Sequence, residues 1–228
     1  MRSARRDAPS PLREVAIGLG TYAAALGVRK AVWSPAGRAR ARRNADRLMR
    51  LERRLGIAVE PAIQQAAIGR VPLGALNAVY VGANIACTVG SLAVLLRRRD
   101  PVYRPLRRSV AGTMLAAQVP FLLFPTAPPR ATERFVDTLS EGSGVDLDRG
   151  AVSQLFNPIA SMPSLHMAWA VISAESLRAC SSRPSVRAAA ALYPPAVATV
   201  VLVTANHLVV DVLAGSVLGW AGLRLGRG

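Results

Sequence analysis

The chain has two histidines, His166 and His207, and both stand in segments whose residue types could do chemistry. His166 ends the run Ser161-Met162-Pro163-Ser164-Leu165-His166, at the start of an apolar stretch. His207 opens His207-Leu208-Val209-Val210-Asp211. On a helix, residues four apart share a face, so Asp211 would lie beside His207. A carboxylate there can accept from one imidazole nitrogen, fix the tautomer and make the other nitrogen more basic. A third segment, Phe124-Pro125-Thr126-Ala127-Pro128-Pro129-Arg130, carries a guanidinium on a stiff Pro-Pro approach. That group suits bidentate phosphate binding. Ser164 stands where a helix would begin, and its hydroxyl with the backbone N–H groups of Ser164 and Leu165 would make an anion site. Such a set fits phosphoryl transfer through a phosphohistidine. One imidazole attacks phosphorus; the other protonates the leaving oxygen and later deprotonates the acceptor. The arginine and amides hold the charge on the remaining oxygens.

These segments must be brought together by elements the composition makes plain. Of the 228 residues, 51% are hydrophobic and 18% charged, with mean hydropathy +0.28. That apolar fraction excludes a disordered chain. The apolar residues come in uncharged blocks: 26 residues over Val71–Leu96, 21 over Ser109–Pro129, 25 over Gly150–Ala174 and 23 over Ala188–Val210. Each can cross about 30 Å of hydrocarbon as a helix. This excludes an ordinary soluble domain and a disulfide-stapled secreted module. Cys87 falls mid-span and Cys180 in a loop, so no pairing is expected. The net charge is +16, and 28 of the 29 basic residues are arginine. Aromatics make up only 5%, and no basic stretch interleaves stacking residues, so nucleic acid is not an expected partner.

The expected fold is all-α, a polytopic membrane helix bundle of about six transmembrane helices. The first span, Val15–Val28, is short at 14 residues. The second is Val71–Leu96, the third Ser109–Phe124 and the fourth Pro163–Leu177. Ala188–Leu223 holds the last two, turning at Thr204-Ala205-Asn206, with Pro194-Pro195 kinking the fifth. Gly215 and Gly219 have the spacing of close helix packing. Residues 97–108 carry +5, 175–187 carry +2, and both ends of the chain carry +2, whereas 130–149 carry −2. The positive-inside rule then places both termini in the cytoplasm and both histidines at the outer mouth. The early Arg cluster and apolar run resemble a signal peptide, but the later spans favour a retained anchor. Residues 29–70, at +8, break the charge pattern if the first span crosses. Either the first segment is re-entrant or lies on the surface, or Arg38–Leu55 is an interfacial helix. The second fits better, with Ala41, Ala45, Leu48, Leu51 and Leu55 on one face and arginines on the others. Such a helix would attract anionic headgroups. The expected division is residues 1–70 as anchor and basic interfacial helix, and 71–228 as a catalytic transmembrane core.

Other readings are open from the residues alone. His207 and Asp211 could ligate a metal, with His166 as the one further ligand in view. Pro-Pro-Arg could be a helix stop with an interfacial arginine. The chain could also be a non-catalytic polytopic membrane protein, a transporter subunit or an assembly partner, in which the two histidines need not meet.

The pattern resembles the type 2 phosphatidic acid phosphatase superfamily, which also includes the vanadium haloperoxidases. Pro163-Ser164-Leu165-His166 is similar to its second motif, and His207-x-x-x-Asp211 to the end of its third. Phe-Pro-x-Ala-Pro-Pro-Arg, Met-Pro-Ser-Leu-His and His-x-x-x-Asp, in this order, resemble the inositol phosphorylceramide synthase branch. The likeness extends upstream through Glu60, Asn77, Tyr80 and Tyr103-Arg104. The resemblance implies His207 as nucleophile, Asp211 as its orienting carboxylate and His166 as general acid and base. Arg130, Ser164 and Leu165 would bind the substrate phosphate. It implies no metal, no cofactor and inhibition by vanadate. The substrate would be a lipid phosphate or phosphodiester, handled by a lipid phosphatase or an inositol or headgroup phosphotransferase. The expected location is the bacterial inner membrane among membrane lipids, with the site facing the extracytoplasmic side. Two departures stand out. Val201 occupies the position six residues before His207, where the superfamily has an arginine. Arg97…Arg104-Pro105 matches the first motif formally, but its loop is assigned to the opposite side, so Arg130 takes the phosphate role.

Overall fold

The computed structural model describes residues 10–139 and 157–228. Expectations that fall on residues 1–9 and 140–156, half of the acidic 130–149 loop among them, lie outside the described residues. Among the described residues all regular structure is helical. The elements are α1 (Pro11–Val32), α2 (Pro35–Leu55), α3 (Glu60–Ala67), α4 (Leu73–Ala78), α5 (Asn84–Arg97), α6 (Tyr103–Leu123), α7 (Leu165–Cys180), α8 (Pro184–Val203) and α9 (Val209–Gly226). A π-helical turn, Val79–Ala83, joins α4 to α5 without a break. Local chemistry sets the ends. Proline opens α1, α2 and α8, where an N–H is not needed. Gly56 ends α2 in the left-handed conformation, φ 70°. The turn between α8 and α9 falls at Thr204–Leu208, with Ala205 at φ 49°.

Helix α7 is the centre of the bundle, packed by α5, α8 and α9, while α9 also packs on α6 and α1 lies against α6. The side chains are distributed as in lipid rather than in water. Helix α9 turns Asp211, Gly215, Gly219 and Gly226 inward and leaves Leu213, Val217 and Trp220 more than half exposed. With hydrocarbon outside, no energy is gained by turning leucines in, so small residues take the contacts and backbones approach closely. Helices α1, α8 and α9 are long and apolar enough to cross a membrane, and α5 is a shorter apolar helix. The chain is an integral membrane protein.

The structure changes two expectations. The first apolar helix has 22 residues, not 14. Glu14, read from sequence as a boundary, lies within it, accepting from the Tyr103 hydroxyl at 2.8 Å and pairing with Arg107 at 3.4 Å. Those contacts put the start of α1 at the start of α6. At the far end Arg40 of α2 donates to the carbonyl of Leu123, the last residue of α6. Helix α1 therefore runs the length of α6 and delivers the basic α2 to the other end of the bundle. The second change concerns the face of α2. Its buried residues are Ala41, Asn44, Ala45, Met49 and Glu52, with Leu48 partly covered. Leu51 and Leu55 are exposed. The inner face meets protein, not hydrocarbon, so it includes polar groups that satisfy neighbouring backbone. Asn44 donates to the Pro125 carbonyl at 2.8 Å, and the Ala41 carbonyl accepts from Ala127 N at 3.1 Å.

The contact of α7 with α9 is backbone to backbone. A Cβ at Gly219 would come within 2.6 Å of the Ala168 carbonyl oxygen and 3.0 Å of its Cα. At Gly215 it would collide with the carbonyl of Ser164. Neither neighbour can rotate away. Gly219→Ala is expected to cost about 1–3 kcal/mol through forced separation of the helices. Gly90→Ala, at a site with nothing within 4 Å, should cost nothing. Thermal unfolding in detergent micelles checks the pair: only the first should lower the midpoint.

Candidate active site

Three chain segments far apart in sequence are pinned together by backbone hydrogen bonds. Thr126 N donates to the Ile159 carbonyl at 2.9 Å, and Ser161 N donates to the Thr126 carbonyl at 3.0 Å. Arg130 N donates to the Ala205 carbonyl at 2.8 Å. Ser164 N donates to the Asp211 carbonyl at 3.0 Å. Each backbone group is buried away from water, so each must find a partner, and here the partners are one another. The arginine motif, the first histidine motif and the second are thereby held in fixed register.

The imidazoles of His166 and His207 lie with centroids 5.7 Å apart. His207 is not on α9 but just before it, with Leu208 as the helix cap. Its relation to Asp211 is accordingly not the helical face-sharing inferred from spacing. Asp211 Oδ2 folds back to accept from Leu208 N at 2.9 Å and from the Ser161 hydroxyl at 2.6 Å. With its proton committed to Asp211, Ser161 Oγ is the acceptor for His207 Nδ1–H, at 3.2 Å. His207 Nδ1 lies 3.6 Å from Asp211 Oδ2, so the hydroxyl bridges what the carboxylate does not reach. Asp211 is fully buried. The other nitrogen of the same ring, His207 Nε2, is buried and has no hydrogen-bond partner among the described residues.

His166 is fixed differently. Its ring stacks on Tyr80 with centroids 4.3 Å apart, and its Nε2 donates to the Tyr80 carbonyl at 3.1 Å. Tyr80 lies in the π-helical turn, a distortion that proteins often use at working sites. Asn84 donates to the His166 carbonyl at 2.9 Å and accepts from the Tyr193 hydroxyl at 2.9 Å. Arg130 is buried, its Nε donating to Asn206 Oδ1 at 2.9 Å and its Nη1 pairing with Asp137 at 3.3 Å. Gln64 and Asn77 hold the segment carrying Asp137, through Val136 and Thr138.

A cavity of about 470 Å³ opens on these groups. His166, His207, Arg130, Asn206 and Ser161 line it together with the apolar side chains of Leu26, Ile85, Val89, Met114 and Phe121. Leu165 lines it, but Ser164 does not. The Ser164 hydroxyl accepts from Met167 N at 3.2 Å as the cap of α7, and its own N–H is held by Asp211. Of the two Ser164 groups given a phosphate-binding role on sequence, the amide is thus engaged with Asp211, and the hydroxyl oxygen accepts the cap bond. Arg97 and Arg104 lie near the far end of α7 from His166, where Arg98 donates to the Cys180 carbonyl. Sixteen residues of helix separate the two ends, about 24 Å. Among the described residues no three or more His, Cys, Asp or Glu side chains converge as a metal site requires.

Sequence spacing pointed to His166, His207, Asp211 and Arg130, but not to the work of Ser161 or of Asp137. A serine inside a recognised motif and an aspartate in a loop carry no signal of their own until the fold brings them to a partner.

No curated protein and no solved structure matches the chain. A family model described as PAP2 superfamily matches residues 46–225. The match takes in His166, His207, Arg130, Asn206 and Ser161; α1, which supplies Tyr22, Leu26 and Arg29 to the cavity wall, lies outside it. Covering most of the chain and all three motifs, that match shows that the chain belongs to the PAP2 superfamily, a family of phosphatase-type phosphoryl transfer on lipid-like substrates.

Proposed function

We propose that this protein transfers a phosphoryl group from a lipid phosphoester through a phosphohistidine at His207. The observation that carries the reading is the state of that ring: Nδ1–H is held by Ser161, itself held by Asp211, while Nε2 is buried, unpartnered among the described residues and beside the cavity. An orphaned buried nitrogen costs free energy unless a ligand meets it. Its lone pair attacks phosphorus and forms the N–P bond as the P–O bond to the leaving group breaks. His166 supplies the proton to the leaving oxygen from Nδ1, since Nε2–H is occupied by the Tyr80 carbonyl. Asp211 offsets the positive charge that the phosphorylated imidazole acquires. In the second half, the acceptor O–H attacks phosphorus, its proton passes to His166 and the N–P bond breaks. Arg130, steered by Asn206 and Asp137, steadies the phosphate oxygens, with the Leu165 amide at the helix start.

The acceptor is water for a lipid phosphatase, or an alcohol such as inositol for a phosphotransferase of the inositol phosphorylceramide synthase type. The apolar arm of the cavity suits the hydrocarbon part of either donor. The bundle has six lengthwise segments, α1, α4–α5, α6, α7, α8 and α9, and we assign all six as transmembrane. By the charge of residues 97–108 the site faces the extracytoplasmic side of a bacterial inner membrane.

Offered phosphatidic acid and phosphodiester lipids in mixed micelles, with and without inositol, the wild-type chain should turn over at least one donor. His207→Ala is expected to lose activity by at least about 10³-fold, and His166→Ala by about 10²–10⁴-fold. Full activity in either variant sinks the mechanism. Ser161→Ala should lower kcat by about 10–100-fold and stability by about 1–3 kcal/mol, because a buried carboxylate oxygen loses one of its two donors. Single-turnover kinetics and denaturant unfolding measure the two effects.

A further inference from the structure

Two more carboxyl groups, outside the three motifs, reach the start of α9. Glu60 Oε1 accepts from Val209 N at 2.6 Å, and Glu52 Oε1 accepts from Val210 N at 2.7 Å. Both are at most 1% exposed. With Asp211 on Leu208 N, three consecutive amides of the turn that follows His207 are each held by a separate carboxyl. The first-turn N–H groups of a helix need partners from outside it. Water or a single cap usually provides them; here α2 and α3 each send a buried side chain to the task. One glutamate at a helix start would be ordinary dipole compensation. Two, side by side and buried with Asp211 close by, cannot all be ionised cheaply.

We propose that Glu52 and Glu60 are a positioning pair that clamps the start of α9, so that the His207 ring keeps its Nδ1–H tautomer and its aim. The inference rests on the reading of His207 as nucleophile. Burial above all, then the charge and hydrogen bonding of Glu60 and the charge of Asp211, push Glu52 from 4.5 up to about 8, although the Val210 N–H pulls it down. Burial of Glu52, on α2 across the bundle end, therefore favours its protonated form, and its Oε2 is buried without a partner among the described residues. The charged groups that act on it are Glu60 from α3 and Asp211 from α9. The arginines of α2 from Arg38 to Arg54 are on its exposed side. Because the folded value lies above the ordinary one, the contribution to stability is complete below about 4.5 and is lost as pH rises through about 8. Ionised, Glu52 repels Glu60 and Asp211, and the turn that aims His207 loosens.

Two histidines make the chain suited to a direct test. The full chain is labelled with ¹⁵N-histidine in detergent micelles, and the imidazole nitrogens are followed by NMR from about pH 6 to about pH 10. His166 serves as the internal reference. In the wild type, the Nδ1–H pattern of His207 should be lost with a midpoint near the Glu52 value. Glu52→Gln keeps an acceptor for Val210 N–H and a donor for Glu60 without a charge, so it should hold that pattern across the range. Glu52→Ala should show mixed tautomers throughout. The proposal is overturned by a wild-type profile flat to the top of the range, by a Glu52→Gln midpoint equal to the wild type, or by a wild-type spectrum in Glu52→Ala. If Glu52→Ala does not fold, Glu52→Gln decides alone. Turnover by His207→Ala, assayed separately, decides the nucleophile reading and leaves the tautomer result independent of it.

Discussion

One buried carboxylate, Asp211, connects almost everything that matters in this molecule. Its Oδ2 closes the start of α9 through Leu208 N and takes the Ser161 hydroxyl proton. Its backbone carbonyl takes Ser164 N, which sets the start of α7. A carboxylate stripped of water is tolerable only with donors of good geometry around it. At Oδ2 that requirement fixes where α9 begins and which way the His207 ring turns, while Oδ1 is buried without a partner among the described residues. The orphaned Nε2 of His207 follows from the same constraint, because the ring has one nitrogen to spend on the network and one left over.

The close approach of α7 and α9 makes that network possible. Glycines at 215 and 219 let two backbones touch, and the Ser164 carbonyl passes over Gly215. In water such an interface would be poor, since it buries few apolar side chains. In a bilayer, where leucine gains nothing by turning inward, dispersion between close backbones and a few polar links hold helices together. The Thr88–Ser173 hydroxyl contact at 2.8 Å between α5 and α7 is another such link. The polar cluster and the apolar exterior are thus two aspects of one packing regime.

The basic helix α2 shows how tertiary contact can reverse a reading from charge. Its arginines suggest a surface element resting on headgroups, and they are indeed exposed. Its inner face, however, is part of the end that holds the two histidines: it backs the Pro125–Ala127 segment and sends Glu52 to α9. Contact with protein, not its charge, sets the place of α2: it is docked on that end and follows α1, which lies beside α6.

The sequence by itself determined the material and the parts. Long uncharged blocks pointed to helices able to satisfy their own backbone in hydrocarbon, and α1, α8 and α9 are long and apolar enough to cross it. The turn at residues 204–206 and the glycine pair were legible because each depends on local chemistry or spacing, and the same motifs named two histidines and an arginine that line one cavity, with an aspartate behind it. The tertiary structure decided the rest. It made α1 full length by supplying Tyr103 and Arg107 to Glu14, moved the buried stripe of α2 toward Asn44 and Glu52, and gave Ser164 to helix capping rather than to the cavity. It also recruited Ser161, Asp137, Glu52 and Glu60. A polar residue in sequence announces only that it needs a partner; which partner it meets is set by how distant helices pack.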